Sequence, residues 1–106
     1  MLIYDDTKLD YNDVLIRPKR STLTSRFDVD MDRTYTFYHS KKEWTGVPIM
    51  ASNMDTVGTF EVYDVLSKHK IMTAFHKFYT ADDFKRFKET RESIDPNLFA
   101  VSIGIG

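Results

Sequence analysis

Three short stretches carry residue types that could hold an anionic, hydrogen-bonding ligand. Ser52, Asn53, Met54, Asp55 and Thr56 follow the apolar run Val47–Ala51. His76 and Lys77 follow Ile71–Phe75, and Ser102, Gly104 and Gly106 lie in or after Leu98–Ile103. Lys77 is the most informative of them. Its neighbours Phe75, His76, Phe78 and Tyr79 include no carboxylate, so an anion is its natural counter-charge. His76 beside it is read first as a packed or solvent-facing imidazole. Met54 suits either plain packing or a soft apolar surface against a flat ring. The G-x-G at 104–106 is too short for a dinucleotide fingerprint and says only that backbone there can approach a ligand closely. No Ser-His-Asp set, metal-ligand set or pair of catalytic carboxylates can be assembled, so the predicted catalytic and metal residues within 1–106 are none.

A fourth stretch, RPKRSTLTSR, places Arg17, Lys19, Arg20 and Arg26 among Ser and Thr. It reads as a solvated loop or as an anion site, since cations mixed with hydroxyl donors suit a phosphate. The D-x-D-x-D at 28–32 imitates the start of a calcium loop. That motif needs Gly and Glu where this chain has Arg33 and His39, so calcium is rejected.

These residues need elements to position them. Pro48 falls near the start of the first apolar run, where a strand tolerates it. Residues 59–70 read as a helix with Val62, Val65 and Leu66 inward. Residues 71–75 read as a strand. A second helix follows from an N-cap at Thr80 to about Ser93, with Asp83 completing a capping box and Phe84 and Phe87 inward. Asp82 and Arg86 are spaced as an i,i+4 pair. Asp95-Pro96-Asn97 is a stop, and 98–103 a third strand. Upstream, Phe27–Met31 and Thr34–Tyr38 both alternate and are expected to pair as a hairpin.

The pattern is β-α-β-α-β over 47–106, preceded by a separate cap over 1–46. The three strands should be parallel, with right-handed crossovers and all exit loops on one edge. Three strands and two helices cannot cover a parallel sheet on both faces, and a full (β/α)8 barrel takes about 250 residues. The expectation is the first part of a larger α/β protein.

Composition narrows the class. Apolar residues are 42% of 106, which is not a disordered composition. Lys plus Arg is 15 and Asp plus Glu 16, a net charge of −1, which argues against bulk binding to nucleic acid or to an anionic membrane. Cysteine is absent, which removes disulfides, Cys-ligated metals and a cysteine nucleophile from these residues. No run approaches the roughly 18 apolar residues of a membrane span, and MLIYDDTK is unlike a signal peptide. A cytoplasmic location is expected.

Taken together, DVLIRPKRSTLTSR, GVPIMASNMDTVGTF, FHKFY and SIGIG resemble, in order and spacing, the N-terminal part of the GMP reductases in the IMP dehydrogenase / GMP reductase family. The resemblance runs from about Lys8 to Gly106. The dehydrogenase branch usually has Pro where this chain has Asn53, and inserts a regulatory module after the second helix, where this chain has only Ile94–Asn97. The resemblance implies a (β/α)8 barrel whose mouth binds GMP and NADPH and turns GMP into IMP and ammonia, in a homotetramer. A cysteine thiolate, a Thr–Glu pair and a potassium-ordered cysteine loop would carry out the chemistry, all beyond residue 106. By position, Ser25 and Arg26 match a cofactor contact reaching a neighbouring subunit, and Lys77 matches a second cofactor contact. Ser52, Asn53 and Met54 match the segment lining the nucleotide pocket. The chain departs from the family's usual Ala at Ser52, His at Phe78 and hydroxyl residue at Ile105. IMP dehydrogenase, or a non-catalytic nucleotide-binding relative, is the alternative.

Overall fold

The computed structural model describes residues 1–105; Gly106, the second glycine of the G-x-G, lies outside them. Four strands form a single mixed sheet in the order β1 (Arg33–Thr36), β2 (Glu43–Ala51), β3 (Ile71–Phe75), β4 (Phe99–Val101). Helix α1 (Phe60–Leu66) connects β2 to β3, and α2 (Ala81–Glu89) connects β3 to β4. The β2–β3 and β3–β4 pairs are parallel and the β1–β2 pair is antiparallel. The class is α/β.

β2 runs through position 46, at which the sequence pattern divides cap from sheet. Its first half pairs with β1, from Thr36↔Glu43 to Arg33↔Gly46, and its second half with β3, from Val47↔Ile71 to Ala51↔Thr73. Pro48 therefore stands inside a strand. It has no N–H to give, and the register shifts at this place: β2 advances from Val47 to Met50 while β3 advances from Ile71 to Met72.

The hairpin differs from the expected one. Phe27–Met31 forms no strand; Ser25 caps a short 3₁₀ turn at Arg26–Asp28 instead. Its hydroxyl accepts from Phe27 N (3.2 Å), and Asp28 accepts from Ser25 N (3.2 Å). The partner of Arg33–Thr36 is the start of β2, with Thr34 and Thr45 hydroxyls 2.8 Å apart. Every residue from Met1 to Met31 is exposed. The Cα radius of gyration is 18.2 Å, well above the ~13 Å of a compact chain this size. This arm is joined to the sheet by the Asp32–Lys70 ion pair, 2.5 Å.

α1 turns its Phe60–Tyr63 face inward. Val65, expected in the core, is exposed. Tyr63 takes the buried place because its hydroxyl accepts the Asp95 N–H at 2.8 Å, which lets a polar ring tip be enclosed. α2 begins at the expected cap: Thr80 Oγ1 accepts from Asp83 N, and Asp83 accepts from Thr80 N at 2.8 Å. It ends four residues short of Ser93. The Thr90 hydroxyl donates to the Arg86 carbonyl (2.7 Å), and Arg91 turns away to pair with Asp64. Arg86 pairs with Asp83 at i,i+3 and not with Asp82, because the capping geometry holds the Asp83 carboxylate on that side.

Both helices pack on one face of the sheet. Phe75 is fully buried there between Tyr63 and Phe87, with Phe60, Phe84 and Phe99 around it. Side chains alternate along a strand, so Met72 and Ala74 point to the other face. Their register neighbours Met50 and Ala100 continue an apolar surface that no helix of the described residues covers. No helix of the described residues is long and apolar enough to cross a membrane.

Candidate functional site

Parallel pairing of β2, β3 and β4 brings their carboxyl ends to one edge. Ser52, Asn53 and Met54 leave β2 there, His76 and Lys77 leave β3, and Ser102 leaves β4. Asn53 Nδ2 donates to Ser102 Oγ at 3.1 Å. Their parent strands are two apart in the sheet, a spacing of about 9.6 Å, so the two side chains meet over the end of β3.

The loop after β2 is folded back to allow this. Val57 N and Gly58 N both donate to the Met54 carbonyl, at 3.0 and 2.8 Å. Gly58 then lies against β3 so closely that a Cβ would stand 2.0 Å from the Ala74 carbonyl oxygen. Its own carbonyl accepts from His76 N at 3.0 Å, which ties the first exit loop to the second. Met54 is left exposed at the edge.

His76 is a packed residue. Its ring stacks on Tyr79 (centroids 4.0 Å apart, 22° between planes) and its Nδ1 accepts from Phe78 N at 3.2 Å. Lys77 is exposed, and its ammonium lies 5.5 Å from the centre of the Phe78 ring. Among the described residues no carboxylate pairs with it. Among the described residues, nothing lies within 4 Å of a would-be Cβ on Gly104.

Ser25 and Arg26 are not part of this edge. They sit on the capped turn of the arm, where the hydrogen bonds are local and the Arg26 guanidinium lies 5.9 Å from the Phe27 ring. The Ser25 hydroxyl is already engaged as an acceptor, whereas Arg26 is exposed.

The charges near the edge are settled by structure. Hydrogen bonds from Thr80 hold the Asp83 carboxyl below its usual range, helped by Arg86 and His76. On the helical side, Asp64 takes a two-pronged contact from Arg91, with Nε and Nη2 each 2.6 Å from a carboxylate oxygen. That hydrogen bond raises the Arg91 pKa and keeps the guanidinium charged. The pair braces α1 against the end of α2 and belongs to the scaffold. Among the described residues, no group of three or more His, Cys, Asp or Glu is placed to hold a metal ion.

Comparison with known proteins finds relatives over nearly all of this chain. No protein-family model matches the chain. The GMP reductase of Caenorhabditis elegans is 53% identical over 103 residues, covering 97% of this chain. That of Photobacterium profundum is 52% identical over 104 residues, and mouse GMP reductase 1 is 54% identical over 101. The chain matches the N-terminal part of GMP reductases. It spans about 30% of the length of these curated relatives, 29% of the nematode protein and 30% of the bacterial one.

Sequence spacing did not single out Tyr79 or Phe60. The Tyr79 hydroxyl accepts from Phe60 N at 3.1 Å, so a residue after β3 caps the helix after β2. The density of aromatics between Phe75 and Tyr79 was the available signal, but ring partners 19 residues apart have no signature in spacing.

Proposed function

We propose that the protein containing these residues is an NADPH-dependent GMP reductase, converting GMP to IMP and ammonia in purine salvage. The observation that carries this is identity of 52–54% to GMP reductases over at least 95% of the chain. The geometry is compatible. Three loops converge on one edge, and among the described residues the Lys77 ammonium has no carboxylate partner and the Gly104 backbone has nothing packed on it. The connection between α2 and β4 is only residues 90–98, with no room for an inserted module, which favours the reductase over IMP dehydrogenase.

In this proposal Asn53 and Met54 line the GMP pocket, with the Ser52 backbone beside them. Asn53 offers a carbonyl oxygen once its amide is given to Ser102, and an amide acceptor suits a purine amino or ring N–H. Lys77 binds a phosphate of NADPH, and Arg26 binds NADPH from a neighbouring subunit of a homotetramer, with Ser25 fixing the turn beneath it. When bound, NADPH supplies the hydride for the reduction. The cysteine nucleophile, the Thr–Glu proton relay and the potassium ligands belong to the barrel beyond residue 106. The proposed setting is the cytoplasm.

The experiment uses the full-length protein. GMP and NADPH together should yield IMP, ammonia and loss of NADPH absorbance. Lys77→Met keeps the apolar stem and removes the charge, a charge-assisted contact of about 1.5–3 kcal/mol. KM for NADPH should rise by roughly 10- to 100-fold, with GMP affinity little changed and the rate partly restored by more NADPH. No IMP from the wild-type protein sinks the activity. Unaltered NADPH kinetics in Lys77→Met sink the assignment of that residue.

A further inference from the structure

Four side chains and a guanidinium form a continuous stack from the carboxyl edge of the sheet to the far end of α2. His76 lies 4.0 Å from Tyr79, Tyr79 3.8 Å from Phe60, and Phe60 4.4 Å from Phe87, with planes inclined by 22°, 10° and 15°. The Arg91 guanidinium carbon closes the column 4.5 Å from the centre of the Phe87 ring, where Asp64 holds it. Tyr79 is the member that joins the two exit loops. Its ring supports the His76 imidazole, next to Lys77, and its hydroxyl accepts the Phe60 N–H at the start of α1. That N–H is one of the donors a helix start leaves unsatisfied, and the Thr59 hydroxyl accepts from Val62 N instead. A residue on the β3 side therefore fixes the helix that anchors the β2 loop, and the His76 N–H to Gly58 carbonyl bond closes the same circuit through the backbone.

We propose that Tyr79 is a positioning residue of the nucleotide site, holding the His76–Lys77 loop in fixed register with the Asn53–Gly58 loop. This rests on the functional assignment above. A long ammonium side chain contributes to binding only if its loop presents it correctly, and a displacement of about 1 Å is enough to lose most of that contribution. The loop from His76 to Tyr79 has few anchors of its own: one backbone bond to Gly58, the Tyr79 hydroxyl bond to Phe60 N, and the stack.

The test is a set of double-mutant cycles in the full-length protein, read as NADPH dissociation constants by cofactor fluorescence without turnover. Tyr79→Leu removes ring and hydroxyl and should weaken NADPH about tenfold. In that background Lys77→Met should cost less than about twofold more, because the ammonium is already misplaced. Tyr79→Phe keeps the stack and should stay within about threefold of wild type. Where Tyr79→Leu does not fold, His76→Ala, at the carboxyl-edge end of the column, takes its place with the same non-additivity expected. A ring that served stability alone would lower the melting temperature and leave the cofactor constant unchanged; that result, or multiplicative losses in the double variant, overturns the inference. Wild-type protein that binds no NADPH overturns the functional assignment and this inference together.

Discussion

Gly58→Ala is the substitution whose consequences the structure fixes most tightly. Gly58 does not have a positive φ, so its requirement is for space and not for an unusual backbone conformation. A Cβ would lie 2.0 Å from the Ala74 carbonyl oxygen, 2.9 Å from the Ser52 carbonyl oxygen and 3.2 Å from the Ala74 carbonyl carbon. All three are backbone atoms, so no rotamer change relieves the contact. Restoring an ordinary C···O separation of about 3.3 Å requires the loop and β3 to part by more than about 1 Å. That movement breaks the His76 N–H to Gly58 carbonyl bond, now 3.0 Å, and strains the Gly58 N–H to Met54 carbonyl bond, now 2.8 Å.

Two hydrogen bonds at about 1 kcal/mol each, with overpacking strain of about 1–3 kcal/mol, oppose the fold. Reduced freedom of the unfolded chain returns roughly 0.4–1 kcal/mol. The net expectation is a loss of about 2–4 kcal/mol, measured by denaturant titration of the full-length protein. Because Asn53 and Met54 belong to the displaced loop, affinity for GMP should fall as well. A Gly58→Ala protein as stable as the wild type, with unchanged GMP affinity, refutes the reasoning.

Thr73 is fully buried in β3, and among the described residues its hydroxyl has no hydrogen-bond partner; Thr73→Val keeps the shape and should stabilise the full-length protein by about 1–2 kcal/mol, while a clear loss in denaturant titration would reveal a partner for that oxygen. The Asp83 pKa is lowered from 3.8, chiefly by the Thr80 backbone N–H, so its contribution is present above that value and lost as pH falls through the lower folded one. Asp83→Asn should therefore lower the melting temperature near neutrality and flatten its decline in acid, and coincident acid limbs for the two proteins would count against this. Arg26→Ala should raise KM for NADPH by roughly 10- to 100-fold at low salt and leave GMP affinity nearly unchanged; unaltered kinetics at low and high salt would make Arg26 a solvated loop cation.

What could be read from the sequence was whatever local pattern decides. β3 occupies the predicted residues 71–75 because an apolar run between Lys70 and His76 has one place to sit. The α2 start is correct because Thr80 and Asp83 satisfy each other across one turn. Glu43–Gly46 looks like a loop in isolation and becomes strand only through β1, a partner seven or more residues away. Phe27–Met31 has the alternation of a strand, but the Ser25–Asp28 capping box is a nearer source of hydrogen bonds and wins. The same division governs the site. Chain order put three loops on one edge, since parallel strands joined by helices leave no other arrangement. It did not show that Asn53 meets Ser102 across 49 positions, or that Tyr79 caps the helix of another unit. Those contacts depend on how far the Gly58 loop folds over β3, a distance set by one missing methyl group. The loops' common edge thus follows from topology, while their mutual register is held by a glycine and a tyrosine, neither of which is a proposed ligand contact.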